Sequence, residues 1–237
     1  MWRGSTVVTV SGARFIGVGR TALVVSTSAL LGVALVELAL VFTPGPNMIY
    51  LVSRSITQGR RAGLISLLGV AAGFFVYLAA AAAGLAAFFV VVPAAYTALK
   101  LAGAAYLLYL AWQAVRPGGT NVFAPRELPV ERPRRLFAMG LFTNLLNPKV
   151  AILYVSLLPQ FIDPTGAPVA LQSLVLGLVQ IAIALTVNGL IVVFAGGLAG
   201  FLSARPTWMR VQRYVMGGVL GGLAVKLATD RSRAAAA

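Results

Sequence analysis

Two proline-containing breaks interrupt stretches of this chain that are long and apolar enough to cross a bilayer. The first break reads Thr43-Pro-Gly-Pro-Asn47, and the second reads Thr143-Asn-Leu-Leu-Asn-Pro-Lys149. Proline lacks a backbone donor and clashes with the preceding helical turn, so each break removes helical hydrogen bonds. Irregular backbone at membrane depth is tolerated only where it is buried in protein or lines a wet cavity. The breaks therefore predict two discontinuous membrane helices.

The composition predicts a polytopic membrane protein. Of the 237 residues, 59% are hydrophobic and 10% are charged, whereas a soluble domain has about 25% charged residues. No charge occurs between Arg61 and Lys100 or between Asp163 and Arg205, and both intervals exceed the ~20 apolar residues that span a bilayer. The net charge of +14 comes from cations in short connections between apolar stretches. We therefore attribute the charge to membrane topology and predict no nucleic-acid partner.

The chain contains no cysteine and no histidine. This excludes disulfides, thiol chemistry, haem ligation by either residue, iron–sulfur clusters and the usual zinc sites. We predict neither a cofactor nor a metal, and we predict no enzyme because the sequence has no nucleophile–base set, phosphate loop or paired intramembrane carboxylates. Any proton coupling must use a carboxylate or a buried lysine.

The fold class that we predict is all-α integral membrane, with six transmembrane helices. The predicted spans are residues 26–52, 62–91, 97–115, 136–161, 169–201 and 211–228. The first and fourth spans contain the breaks. Because each half of the chain has three spans, two halves in series have opposite topology, and the matched breaks then predict two inverted three-helix repeats.

The domain organisation follows from these spans. Residues 26–115 form the first repeat and residues 136–228 form the second. A polar linker rich in proline and glycine, residues 116–135, joins them on the cytoplasmic side. Residues 1–25 are predicted to be a poorly ordered extension, and residues 229–237 a tail.

The loop cations predict the orientation in the membrane. They concentrate at residues 54–61, 116–135 and 205–213, whereas the connections after the second and fourth spans contain at most Lys100. The positive-inside rule places the cation-rich connections in the cytoplasm and both termini outside. Arginines in the terminal segments oppose this orientation.

The first break offers five candidate binding residues. Pro44 and Pro46 flank Gly45, which permits unusual backbone angles, so the three residues are expected to unwind a helical turn. Thr43 and Asn47 would then present polar groups at the break. The structural alternative is a passive kink, which is common in membrane helices.

The second break offers Asn144, Asn147, Pro148 and Lys149. A lysine within the bilayer costs about 3 kcal/mol or more unless it is paired or hydrated. Glu37 is the only acid within a predicted span. Lys149 therefore either forms a structural ion pair with Glu37 or binds a substrate carboxylate. Glu37 in turn binds a substrate ammonium, carries a proton or neutralises Lys149.

Two amides are secondary candidates. Gln160 follows Pro159 at the outer end of the fourth span, where the alternative is simple helix termination. Asn188 interrupts the uncharged fifth span, where the favoured alternative is a hydrogen bond to a neighbouring helix.

Six motifs together resemble the LysE/RhtB family of amino-acid exporters. They are Thr43-Pro-Gly-Pro-Asn47, Ser53-Arg-Ser55, Gln58-Gly-Arg-Arg-Ala-Gly63, Leu99-Lys-Leu-Ala-Gly-Ala-Ala-Tyr-Leu107, Thr143-Asn-Leu-Leu-Asn-Pro-Lys149 and Leu158-Pro-Gln-Phe161. The resemblance covers about residues 30–226 and leaves residues 1–25 outside. The Pro-Gly-Pro-Asn and Asn-Pro-Lys elements are specific in combination, although either alone would be a weak signal.

The resemblance implies a multi-pass protein of the bacterial inner membrane that exports amino acids or close derivatives, driven by the proton gradient. The break residues of the family correspond to Thr43, Pro44, Gly45, Pro46, Asn47, Asn144, Asn147, Pro148 and Lys149. The expected partners are an amino-acid-like substrate, protons and the lipid bilayer, with a homodimer kept as an open alternative.

A mechanism follows if the two breaks meet near the membrane midplane. A half-helix N-terminus near Lys149 would bind the carboxylate of a zwitterion, and carbonyls freed at residues 44–46, together with Glu37, would bind its ammonium. One buried lysine and one buried glutamate favour a neutral amino acid over lysine or arginine. Rocking of one half against the other, with hinges at Gly45 and Pro148, would give alternating access.

Two other classes of function remain open from the sequence. One is a sensory or scaffolding membrane protein, against which the matched breaks argue. The other is a passive channel, which would show neither saturation nor dependence on the proton gradient.

Overall fold

A computed structural model describes residues 24–85, 93–116, 128–203 and 206–229 of the chain. Every regular element within these ranges is helical, and none is a strand. Residues 1–23 of the predicted extension, much of the predicted linker and most of the predicted tail lie outside the described residues. The all-α prediction is confirmed for the described part of the chain.

The first break divides the first predicted span into two helices. Helix α1 (Thr27–Phe42) begins after Ser26, whose Oγ accepts a hydrogen bond from the backbone nitrogen of Ala29 at 3.2 Å. Helix α2 (Pro46–Gln58) begins with a proline, at the one helical position where the missing donor has little cost. The two helices are bent by 54° at the break.

The next two helices complete the first half of the chain. Gly59, with φ of 87°, separates α2 from α3 (Arg60–Ala80). Only glycine adopts this backbone conformation without strain, so the sharp turn between the two helices depends on it. Helix α3 continues as a π-helical turn, Ala81–Leu85, and helix α4 spans Pro93–Val115.

The second break has the same construction as the first. Helix α5 (Pro133–Leu145) ends at the break, and helix α6 (Pro148–Ile152) begins with a proline. The helical segment Pro148–Phe161, which starts with α6, is bent by 48° from α5. The Oδ1 of Asn147 caps α6 by accepting the backbone N–H of Lys149 at 3.1 Å. A π-helical turn, Leu153–Leu157, and a 3₁₀ turn, Leu158–Phe161, continue α6.

Two long helices end the described chain, α7 (Val169–Ser203, 35 residues) and α8 (Pro206–Thr229). Helix α7 packs against α1, α2 and α3, while α4 packs against α8. Helix α3 packs closely against α5, because a Cβ on Gly69 would overlap the carbonyl oxygen of Phe137 and a Cβ on Gly140 would overlap that of Ser66.

The described helices include membrane-spanning candidates. Arg60–Ala83 and Val169–Gly197 are each long and apolar enough to cross a membrane, and each bent pair passes the same test as one broken span. By length and composition the described residues therefore provide two to four spans, and the six-span arrangement stays a prediction. Large apolar side chains are exposed on the outer surface, as a lipid environment requires; examples are Leu31, Leu35, Leu68, Phe75, Leu101, Leu108, Leu178, Phe194 and Val225.

Candidate functional site

The two breaks are joined by the side chain of Lys149. Its Nζ donates hydrogen bonds to the carbonyl oxygens of Leu40, at 2.6 Å, and Thr43, at 2.7 Å. These carbonyls belong to the end of α1, where helical donors run out. A cation is also stabilised there by the helix macrodipole. Lys149 therefore connects the second break to the first.

The direct ion pair with Glu37, one of the two alternatives for Lys149, is not formed, since no contact within 4.0 Å joins the two charged groups. Such a pair does join Arg135 to Glu131, at 3.2 Å. Glu37 instead accepts a hydrogen bond from Nε2 of Gln180 at 3.0 Å. The lysine instead donates at the end of α1, where the carbonyl of Leu40 also accepts the N–H of Thr43 at 3.2 Å and the carbonyl of Thr43 lies beyond the last helical residue.

A small cavity lies between the two breaks and has a volume of about 30 Å³. Five of the predicted polar residues line it: Glu37, Asn47, Asn147, Lys149 and Asn188. Because one water molecule needs about 10–15 Å³, the cavity has room for about two. Ligand sites usually measure about 300–1,000 Å³, so in this structure the cavity is too small to hold an amino acid.

Several buried amide groups at the breaks have no hydrogen-bond partner. They are Oδ1 of Asn47, Nδ2 of Asn147 and both polar atoms of the Asn144 side chain. A buried polar group without a partner costs about 1–3 kcal/mol, so such groups mark places where a ligand or water completes the bonding. Asn47 and Asn147 line the small cavity, whereas Asn144 packs against α3, with Oδ1 2.7 Å from the place of a Cβ on Gly73.

The N-terminus of α2 provides further donors to the small cavity. No side chain caps this helix end, so the first-turn N–H groups of Asn47 and Met48 have no helical acceptor. Both residues line the cavity, which therefore receives the positive end of the α2 dipole. Gly45 leaves space for the lysine, since a Cβ there would lie 3.0 Å from Nζ of Lys149.

Other predicted site residues have less direct roles. The hydroxyl of Thr43 donates to the carbonyl oxygen of Ala39 at 2.6 Å, so it is used within α1. Nδ2 of Asn188 donates to the carbonyl of Ala184 in its own helix at 2.8 Å, rather than to a neighbouring helix. Pro44 is half-buried, whereas Pro46 and Pro148 are exposed, and the latter two shape the site by starting α2 and α6.

Gln160 does not belong to the small cavity. It lines a wider cavity of about 420 Å³ with Leu35 and Val36 of α1, Phe161 and Lys226 among others. The wide cavity begins one residue from Glu37 along α1, and both cavities adjoin the π-helical turn, through Leu153 and Leu157.

Sequence reasoning missed two buried residues beside Glu37. The hydroxyl of Tyr154 donates to Oε1 of Gln180 at 2.7 Å, and the amide of Gln180 donates to Glu37. Gln180 lies in the fifth predicted span, eight residues before Asn188, so an amide in an uncharged span was the available signal. Tyr154 gave no signal, because a tyrosine in an apolar stretch is ordinary core composition.

At the cation-rich end of the structure, Arg54 and Gln58 of α2 form hydrogen bonds with the segment before α5, and we call these two residues the clamp. Nη1 of Arg54, a residue only 1% exposed, donates to the carbonyl of Pro129 at 2.8 Å. Gln58 forms two bonds with the backbone of Glu131, one to its carbonyl at 2.6 Å and one from its nitrogen at 3.0 Å. Deeper in the structure, the hydroxyl of Tyr50 donates to the carbonyl of Leu136 at 3.0 Å.

The fold and site define an α-helical membrane protein in which two broken helices meet at a small cavity lined by polar side chains. The chain belongs to the LysE family: the model of the LysE type translocator matches residues 38–231. This confirms the resemblance seen in the sequence motifs. The family comprises translocators rather than enzymes.

Several curated relatives align over most of their length. A homoserine/homoserine lactone efflux protein of Salmonella typhimurium is 30% identical, over 80% of this chain and 90% of that protein. A leucine efflux protein of Salmonella choleraesuis is 25% identical, over 81% of this chain and 91% of that protein. An uncharacterized membrane protein of Pseudomonas aeruginosa is 31% identical, over 80% and 89%. No solved structure matches the chain significantly.

Proposed function

We propose that this translocator exports amino acids or close derivatives across the bacterial inner membrane by alternating access, driven by the proton gradient. The observation that carries the proposal is the bridge from Lys149 to the carbonyls of Leu40 and Thr43, beside a polar cavity between the breaks. The efflux of leucine and of homoserine named for two relatives supports the substrate class.

The helix packing supports two inverted repeats. In an inverted repeat, the first three spans correspond in order to the last three. The first span (α1 and α2) packs against the fifth (α7), and correspondingly the fourth span (through α5) packs against the second (α3). The contact of α1 with α8 likewise has its counterpart in the contact of Leu153–Leu157 with α4. The contacts of α3 with α7 and of α4 with α8 each join two corresponding spans. The contact of α2 with α3 has a much smaller counterpart, between Leu158–Phe161 and α7. A two-fold relation between the halves accounts for the other pairs.

The substrate pose that we propose differs in part from the one expected from sequence. The carbonyls at the end of α1 already accept hydrogen bonds from Lys149, so they are not free for a substrate ammonium. The carboxylate of the substrate binds the free N–H groups at the start of α2 and Nδ2 of Asn147, with the lysine charge nearby. The ammonium binds Glu37.

The transport cycle requires the small cavity to open on each side in turn. In this structure the clamp of Arg54 and Gln58 covers the cation-rich end, which we place in the cytoplasm. The wide cavity approaches Glu37 from the opposite end. We propose that the wide cavity is the exit path and that release of the clamp admits the next substrate, with Gly45 and Pro148 as hinges.

Proton coupling is assigned to Glu37. It is the acidic residue that lines the small cavity, and its position beside Lys149 lets its charge respond to the movement of the lysine. We propose that the exchange of a proton for a substrate ammonium at this carboxylate couples the two movements. Replacement of Glu37 by Gln should then abolish dependence on the pH gradient.

The test is export from cells that lack their own amino-acid exporters and are loaded with leucine- or homoserine-containing dipeptides. The protein should accelerate export of the amino acid in a saturable manner, and Lys149→Ala, matched for its amount in the membrane, should not. Saturable export whose rate does not depend on the pH gradient would contradict proton coupling. Export that does not saturate would indicate a channel. No accelerated export over a broad amino-acid panel would favour a sensory or scaffolding protein.

A further inference from the structure

A buried amide and a buried phenol hold the carboxylate of Glu37 in place. Nε2 of Gln180 donates to Oε2 of Glu37 at 3.0 Å, and the hydroxyl of Tyr154 donates to Oε1 of Gln180 at 2.7 Å. All three side chains are buried: Glu37 is 4% exposed, Gln180 0% and Tyr154 1%. We call Gln180 and Tyr154 the amide arm.

The amide arm is itself fixed by the neighbouring helices. The ring of Tyr154 stacks on the ring of Tyr77, with centroids 5.5 Å apart and planes inclined by 19°. The hydroxyl of Tyr77 donates to the carbonyl of Leu145, the last residue of α5, at 2.7 Å. The arm therefore connects Glu37 in α1 with α7, with the π-helical turn after the second break, and with α3.

The direction of these hydrogen bonds determines how Glu37 is presented. A phenol that donates to the amide oxygen turns the amide N–H₂ toward the carboxylate, because the two ends of the amide point in opposite directions. One carboxylate oxygen then accepts from Gln180, and the carboxylate still lines the small cavity. A carboxylate held in one orientation binds an ammonium with less loss of side-chain entropy than a free one does.

The other polar side chains of the small cavity restrict the substrate further. They are the amides of Asn47, Asn147 and Asn188 and the ammonium of Lys149. No second carboxylate from the described chain lines the cavity. A cationic substrate side chain would therefore lie near Lys149 without an anionic partner, at an electrostatic cost.

We infer that Gln180 and Tyr154 are positioning residues that orient Glu37 to bind the primary ammonium group of a neutral amino acid. This inference rests on the proposed function, since it concerns the same cavity. It assigns roles to two residues outside the proline breaks.

The test measures leucine uptake into inside-out membrane vesicles from cells that express each variant. Tyr154→Phe removes the hydroxyl but keeps the stacked ring, and Gln180→Leu removes the amide at similar volume. Each should raise the KM for leucine about 10-fold, the loss expected for a hydrogen bond that orients a charged group. The maximal rate should change far less. Tyr214→Phe is the control, because it removes the hydroxyl of an exposed tyrosine of α8 that lines neither cavity.

A second ligand separates positioning from general damage. The inhibitor 2-hydroxy-4-methylpentanoate has the carbon skeleton of leucine with a hydroxyl in place of the ammonium, so its inhibition constant should be unchanged in Tyr154→Phe. Equal shifts of the leucine KM and the inhibition constant, or an unchanged KM in both arm variants, would overturn the inference while leaving export intact. Failure of the unmodified protein to accumulate leucine would overturn both the inference and leucine export.

Discussion

Lys149 and Thr43 are 106 positions apart in the sequence, and Nζ of the lysine lies 2.7 Å from the carbonyl oxygen of the threonine. The bond crosses from one broken span to the other, and it satisfies a carbonyl that the break has left without a helical donor. The two breaks are thus one structural unit. Separation of the two halves at this point requires that the bond be broken or its donor moved.

Replacement of Lys149 by Met is expected to destabilise the protein as well as to stop transport. The change leaves the carbonyls of Leu40 and Thr43 without their shared donor, which should cost about 2 kcal/mol. Thermal unfolding in detergent measures the loss. Lys226→Met, at an exposed position of α8, is the control. An equal loss of stability in the two variants would contradict this role of Lys149.

Enlargement of Gly45 should impair transport through contact with the lysine. A Cβ at this position would lie 3.0 Å from Nζ of Lys149, and the backbone φ of −164° is open to any residue, so strain is not the cause. We expect Gly45→Ala to reduce the export rate and Gly45→Val to abolish it. Gly189→Ala, where the nearest atom would be 3.6 Å away, should leave export unchanged. Normal export by Gly45→Val would refute the proposed packing.

Loss of the Arg54 clamp should expose the interior from the cation-rich end. The chain has no cysteine, so a single Ser66→Cys replacement, at a fully buried site beside Tyr50, gives a reporter without background. Arg54→Ala should increase its labelling by an impermeant thiol reagent in inside-out vesicles, because Pro129 loses its donor. The exposed Arg61→Ala should not change labelling. Equal labelling in the two backgrounds would exclude the clamp as a barrier.

The contact between α3 and α5 should tolerate no side chain at Gly69. A Cβ there would overlap the carbonyl oxygen of Phe137, which is backbone and cannot rotate away. We expect Gly69→Ala to lower the free energy of unfolding by about 1–3 kcal/mol or to prevent folding. Gly197→Ala, with nothing within 4 Å of the new methyl group, should be neutral or stabilising by up to ~1 kcal/mol. Folded yield after detergent extraction, with melting temperature, checks both.

The positions of the breaks and of most helices could be predicted from the sequence because proline acts locally. Pro46 and Pro148 favour the first position of a helix, where their missing N–H has little cost. Long uncharged stretches are helical in a membrane because the lipid offers no hydrogen-bond partners to the backbone. The grouping of Glu37, Asn47 and Lys149 also followed, since polar groups in apolar spans cluster to satisfy one another.

The partners of these groups could not be predicted. Charge complementarity made a pair between Lys149 and Glu37 one alternative, but the lysine donates to backbone carbonyls at the end of α1. A residue pattern does not show which backbone carbonyls can accept a side-chain donor. Gln180 could have been found by the same reasoning as Asn188. The burial of Arg54 could not be predicted, because it depends on how the 128–132 segment folds back over α2, and no local signal encodes that.

Helix α7 links the protein to the thickness of its membrane. Its 35 residues give a length of about 52 Å at 1.5 Å per residue, while the hydrocarbon core of a bilayer is about 30 Å thick. The helix must therefore tilt or project into the headgroup region, and its tilt follows the lipid. Because this unbroken helix packs on both sides of the first break, we expect a change of tilt to alter the bend between α1 and α2. Lipid acyl-chain length would then act on the small cavity through α7, which contributes Asn188 to its lining.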